Sequence, residues 1–450
     1  MVHVQGAGTG GSNVSKTQWT FMCYMAGDNS LSAAADNDLA EMRQVGSTKD
    51  VNIVVEIDRA GNNQTWRYKV ERNGEGELRE KLPETDSGDP ETLFKFVEWA
   101  QAKYPAEHYC LVIWNHGGGW EPSEMDRIAR HVGTVSYSGR ETVARTGSEL
   151  RRSLFRPTIE QVYRLPTVHQ RAIASDDGTG HSLDTVELGK VMARLRGVLG
   201  QPIDVLGLDA CLMSSLEVAW ELKESVRYMV GSLDNEPNDG WPYDEILGQL
   251  TMVPDVSSLA FAASITYLYA QSYTSHNRNI TQSAFDLSKI DDLEMPLGCL
   301  SKALLKDMAG VRGQMYRAQT RSVSFWASTL WDLGDWCHEL RNLNPSQHVD
   351  HATKCVMDAL DVGGFVIANE HQGQAVRNVS GLSIYLPPET KRISPYYDDL
   401  AFAKDMPWQS VLYAYHNGGR EEPEPRAEVS LADPWSYDRG EYAVLNELGT

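Results

Sequence analysis

No Cys-x-x-Cys pair occurs among the six cysteines, Cys23, Cys110, Cys211, Cys299, Cys337 and Cys355. Their wide scatter argues against a zinc site and against a dense disulfide framework, so reduced thiols are expected. No stretch approaches ~18 uninterrupted apolar residues, and the opening residues hold no apolar leader segment; the expectation is a soluble, cytoplasmic protein with no membrane partner. Basic residues are outnumbered, 41 Lys and Arg against 62 Asp and Glu, for a formal charge of −21. Such a charge disfavours non-specific binding to nucleic acid and favours cationic ligands. Lysine is also missing from Glu121 to Arg171, a stretch that nevertheless carries nine arginines.

What is present is a chain of 450 residues, long enough for a large core. A Gly-rich lead (1–16) gives way to an apolar strand, Trp19 to Met25, and a helix from about Leu31 to Gln44. Val51 to Asp58 and Thr65 to Glu71 read as a hairpin. Asp89-Pro90 opens a helix, with an oxygen at the cap and proline at the first helical position. Strand and helix alternation implies an α/β fold with a mostly parallel sheet covered on both faces. Further on, Val256–Gln271, Asp292–Met308, Ser322–Leu343 and Ala352–Leu360 have helical spacing, and Gly381 onward looks like a buried strand entering a turn. Trp326, Trp331 and Trp336 read as core.

The stretch Ile203 to Ser215 is a short apolar run that stops at Cys211, followed by helical spacing from Leu216 to Leu222. It places a thiol at the carboxyl end of a strand, where backbone N–H groups and the dipole of a following helix favour a thiolate. By composition alone a cysteine between Ala210 and Leu212 is more often a small buried hydrophobe. A second stretch reverses those odds: Tyr109 to Trp114 is an apolar strand running into Asn115-His116-Gly117-Gly118-Gly119-Trp120. Histidine and cysteine at the ends of two central strands meet at one edge of a parallel sheet, where open α/β folds place their sites. The glycines after His116 let backbone N–H groups approach a substrate oxygen.

With these blocks in place, the chain resembles the clostripain family of cysteine peptidases, within the wider caspase-like fold. The resemblance is carried by Trp-Asn-His-Gly-Gly-Gly-Trp at 114–120, Asp-Ala-Cys-Leu-Met-Ser at 209–214 and Asp-Gly-Trp-Pro-Tyr at 239–243. It implies a peptidase domain over residues 17–415, with Cys211 as nucleophile, His116 as acid/base, and an oxyanion hole from the backbone of Gly117 and Cys211. It further implies polypeptide substrates cut after a basic residue, arginine or lysine, held in an S1 pocket lined by Asp209 and Asp239. Read without it, Asp239 is a turn residue and Asp209 a local cap.

His116 and Cys211 lie 95 positions apart, longer than the family pattern, which marks 121–171 as an insertion. Its arginines are open to two readings, a solvated loop of mixed charge or a processing region cut by the enzyme or by an upstream protease, with Arg130 and Arg140 as candidate sites. Ser175 and Asp176-Asp177-Gly178 read either as cleft border or as ordinary turn chemistry. No cofactor is required; some relatives use calcium, but the aspartates at 36, 38, 176 and 177 form no recognisable ligand loop. Residues 416–450 read as an acidic tail. Two rivals keep the fold: a thiol-dependent amidohydrolase on small molecules, and a silent scaffold that binds partners. The full expectation is an arginine-preferring endopeptidase made as a precursor and working in an intracellular regulatory or defence cascade.

Overall fold

Apolar runs bounded by turn residues build the strands, and the computed structural model describes them over residues 16–29, 31–61, 64–120, 173–175, 182–237, 239–274, 278–325 and 329–417. The first part of the chain gives β1 (Thr17–Gly27), α1 (Ser32–Val45), β2 (Val51–Arg59), β3 (Gln64–Lys69), β4 (Leu78–Pro83), α2 (Pro90–Lys103) and β5 (Ala106–Trp114). A short antiparallel pair, β6 (Ile173–Ser175) and β7 (Ser182–Leu183), precedes α3 (Thr185–Leu199), β8 (Ile203–Asp209), α4 (Leu216–Leu222), β9 (Val226–Gly231), α5 (Tyr243–Met252), α6 (Ser258–Ser272) and β10 (Ile280–Asp286). Then come α7 (Asp291–Gln319), β11 (Leu330–Asp332), α8 (Leu333–Asn342), α9 (Gln347–Ala359), β12 (Val366–Gln372), β13 (Ser383–Tyr385), α10 (Ala401–Asp405) and α11 (Trp408–His416).

One sheet of nine strands has the order β12-β10-β9-β8-β5-β1-β2-β3-β4. Its five central strands, β9, β8, β5, β1 and β2, run parallel. Antiparallel strands close both edges, β3 and β4 on one side and β10 and β12 on the other. Because the central strands are covered on both faces, they read as continuous apolar runs. Along β5, Tyr109, Leu111 and Ile113 pack with Leu93 and Phe96 of α2 and Leu188 and Val191 of α3, while Cys110, Val112 and Trp114 pack with Leu39 of α1, Ile246 of α5 and Phe261 of α6. Gly207 of β8 is needed for that second face: a Cβ there would stand 2.8 Å from the Trp241 ring.

Local signals account for most helix starts. Asp89 caps α2 through its bond from the Glu91 N–H (2.8 Å), and Asp184 with Glu187 forms a capping box on α3. The expected helix over Ser322–Leu343 is corrected: the chain forms β11 first, and only Leu333–Asn342 is helical, with Asp332 as its cap. Trp331 and Trp336 are core, and Trp326 lies outside the described residues, as do 121–172 and 418–450. Among the described residues no helix is long and apolar enough to cross a membrane.

Candidate functional site

The parallel register of β5 and β8 pairs Trp114 with Asp209, so His116 and Cys211 each stand two residues beyond a shared rung. Neighbouring strands lie about 4.8 Å apart, and the two side chains are delivered to one cleft at the carboxyl edge of the sheet. That cleft is small, about 40 Å³, and is lined by Leu31, Ala34 and Trp114 to His116 on one side, and by Asp209 to Cys211, Glu236, Pro237 and Gly240 on the other.

The turn after β5 is fixed from several directions. The Asn115 Oδ1 accepts the His116 backbone N–H and the Asn29 Nδ2 (3.3 Å), and the Asn115 Nδ2 donates to the Ala26 carbonyl at the end of β1 (2.7 Å). Trp120 closes the turn, edge-on to Tyr385 and Tyr397 at 4.5 and 5.1 Å. Gly117 lies so close to the cysteine that an added Cβ would fall 2.3 Å from the Cys211 carbonyl oxygen and 2.8 Å from its nitrogen. Only glycine fits there, which brings the Gly117 and Cys211 backbones side by side.

On the other strand, Leu212 directly after the cysteine takes φ +65°, a left-handed conformation that costs a residue with a Cβ about 1 kcal/mol. Its N–H donates to the Asp234 carbonyl (3.2 Å), and Ser214 is bonded to Ser232 and Ser383. The Cys211 Sγ accepts the Glu236 N–H at 3.3 Å.

The expectation of a resting thiolate is corrected. Burial pushes the Cys211 thiol up to about 11; the Glu236 and Gly117 amides pull it down, but Asp234 and Asp209 push it further up. Burial also pulls His116 down to about 4. The resting pair is therefore neutral thiol and neutral imidazole. The helix dipole contributes little because α4 begins only at Leu216, with Ser215 as its cap, and is seven residues long.

Asp209 is buried at the end of β8, where its Oδ2 accepts the Tyr243 hydroxyl at 2.7 Å. Its partner in the cleft is not the expected Asp239. The chain turns at Gly240 (φ +61°), which leaves Asp239 exposed and faces the glycine toward Asp38 and Asp209, whose oxygens would lie 3.4 and 3.7 Å from a Cβ. Glu236 lines the cleft instead, with both carboxylate oxygens buried and its carboxyl set against that of Asp209. Burial and the neighbouring Asp209 push its carboxyl well up, and burial raises Asp209 as well. Beneath them, Asp38 accepts the Trp114 Nε1 at 2.6 Å and is pushed to about 9 by burial and by Asp209.

Sequence reasoning missed Asn29, Asn115, Asp38, Glu236 and Tyr243. Asn115 is adjacent to the motif histidine, whereas nothing in the local pattern marks Glu236, and Asp38 entered only among the aspartates weighed for calcium. Arg130, Arg140 and the Asp176-Asp177 turn fall outside the described residues, as does the side chain of Ser175. Of the aspartates considered for calcium, Asp36 pairs with Arg59 at 2.7 Å. Among the described residues no group of three or more His, Cys, Asp or Glu side chains is placed to hold a metal ion.

A sequence model of the clostripain family matches residues 23–154 and 161–415. Clostripain of Hathewaya histolytica is 24% identical over 458 residues, covering 86% of this chain and 78% of that protein. An inactive zymogen C11 protease from Parabacteroides distasonis superposes with a TM-score of 0.61 at 20% identity, over 87% of this chain and 99% of the other. A secreted C11 cysteine protease from Bacteroides thetaiotaomicron, in complex with an irreversible peptide inhibitor, gives 0.59 at 19% identity, with the same coverage. Those likenesses bear out the caspase-like α/β fold. The family match spans most of the chain, and the chain accordingly belongs to the clostripain family of cysteine endopeptidases.

Proposed function

We propose that the protein cleaves polypeptides after arginine through a Cys211–His116 dyad, and that it is made as a precursor activated by cleavage within residues 121–171. The observation that carries the dyad is the register of β5 and β8, which brings both residues to one cleft. Basic specificity is supported by the cleft's buried carboxyl groups, since a guanidinium needs a planar acceptor and a desolvated carboxylate supplies one.

The neutral resting pair sets the order of events. As the Cys211 Sγ attacks the scissile carbonyl, its proton passes to the His116 imidazole, so thiolate and imidazolium arise only with substrate in place. The Gly117 and Cys211 N–H groups stabilise the oxyanion. His116 then gives that proton to the leaving amine, and afterwards takes one from the water that hydrolyses the thioester.

The test is the intact mass of the purified wild type beside Cys211→Ala, followed by turnover of matched peptides ending in Arg, Lys or Asp. Fragments cut after an arginine between 121 and 171, including Arg130 or Arg140, should appear only with Cys211, together with turnover of the Arg peptide. A wild type that stays uncut and idle, yet works after pre-nicking, places activation with an upstream protease. If pre-nicked protein ignores all three peptides, the proposal falls.

A further inference from the structure

The loop after β9 does two things with one residue. The Glu236 main-chain N–H is bonded to the Cys211 Sγ at 3.3 Å, and its side chain extends into the same cleft, where its buried carboxyl faces that of Asp209. A buried carboxyl with no cation is expensive to keep. Its partner is Asp209, to which it is hydrogen-bonded carboxyl to carboxyl, while Asp209 also accepts the Tyr243 hydroxyl. Two carboxyl groups face one another with nothing positive between them, in a space of about 40 Å³. That volume holds little more than a water molecule. Glu236 in this position leaves a basic side chain little room, and such a side chain, once inside, would supply the counter-charge that both groups lack.

We propose that Glu236 is a specificity residue for the side chain of the residue before the scissile bond: its carboxylate shares a cationic group with Asp209, while its amide ties entry of that group to the placement of the Cys211 thiol. The inference rests on the basic-residue reading above and replaces Asp239 with Glu236 as the second acidic wall. Entry of the cation displaces the Glu236 side chain, and through it the amide that holds Sγ, so that recognition and release of the nucleophile become one movement. An uncharged side chain has no means of drawing Glu236 aside.

The experiment compares the wild type, Glu236→Gln, Glu236→Ala and Asp209→Asn as full chains at equal extent of cleavage within 121–171. Two matched peptides are used, ending in arginine or in citrulline, its uncharged isostere. The rate of Cys211 alkylation by iodoacetamide, whose side reactions at other thiols are subtracted with Cys211→Ala, reports the thiol without the pocket. Glu236→Gln should reduce the arginine-over-citrulline ratio in kcat/KM by about 10- to 100-fold, through KM and through kcat for the arginine peptide alone, with the alkylation rate of the free enzyme nearly unchanged. Glu236→Ala, which removes one of two facing buried carboxyls and so keeps the comparison available if the amide variant folds poorly, should do the same. If both variants keep the full ratio, or slow both peptides and alkylation in step, Glu236 is structural and the inference is overturned. If the wild type itself does not discriminate, or Asp209→Asn discriminates as well as the wild type, the basic-residue reading fails and takes this inference with it.

Discussion

At Gly117 the chain has no room for a methyl group. A Cβ would meet backbone atoms of Cys211 and the Ala210 side chain, all within 3 Å, and backbone cannot step aside as a side-chain tip can. Gly117→Ala should therefore push the histidine turn off the cysteine and lower kcat/KM by about 100-fold or more, the range seen when an oxyanion donor is lost. Peptide turnover checks the rate, and circular dichroism checks that the fold persists. Leu212 is a different kind of constraint. Its left-handed backbone is held by the Asp234 carbonyl and by complete burial of its side chain, so the strain is met by packing on both sides of the nucleophile.

Among the elements, β1 and β5 are joined at their carboxyl ends by more than the ladder between them. Asn115 spans the two, and Asn29 donates to both the Ala26 carbonyl (2.9 Å) and Asn115. Asn115→Ala should lower kcat about tenfold with little change in KM, and destabilise the protein by about 2 kcal/mol, since it leaves buried groups unpaired; steady-state kinetics and urea unfolding measure the two. The positions of β1, β5 and β8 were legible because central strands are buried on both faces and leave apolar runs in the sequence. The edge strands β4, β10 and β12 were not foreseen: in Leu78–Pro83 the two leucines are separated by Arg79-Glu80-Lys81, and Val366–Gln372 ends in Glu-His-Gln. Cys211 and His116 could be found because each ends an apolar run, whereas the sequence shows the Asp239-Gly240 turn but not which acidic side chain of the loop before it enters the cleft. The helix expected over Ser322–Leu343 ran through β11 because the apolar residues of that short strand, Leu330 and Trp331, lead directly into those of the helix that Asp332 caps.

Within the molecule as a whole, Glu56 is buried against Arg67, whereas Asp38, Glu217 and Asp332 are buried with hydrogen-bond donors that carry no charge. Burial pushes Asp38 to about 9 and Glu217 and Asp332 to about 7, the latter two despite hydrogen bonds from Tyr385, Ser380 and Asp335 backbone N–H groups. The folded state keeps these protons at a pH where the unfolded chain has released them. The stability they contribute is complete below the ordinary carboxyl range and is lost as pH rises through 7 and then 9. The melting temperature should fall between about pH 6 and pH 9 by several degrees, and Asp38→Asn, which keeps an acceptor for the Trp114 indole, should flatten the upper part of that decline. Calorimetry across this interval checks both slopes. The sheet order carries one more consequence. Residues before 121 supply β5-β1-β2-β3-β4 and residues after 172 supply β12-β10-β9-β8, two contiguous blocks of the sheet whose strands pair with each other along β5 and β8, with α2 on α3 and α1 on α5 packing across the same boundary. His116 belongs to one block and Cys211 to the other. The molecule is thus a natural split enzyme: two polypeptides, 1–130 and 173–450, should each be inert, and should regain peptide hydrolysis on co-expression by zipping a parallel seam back together.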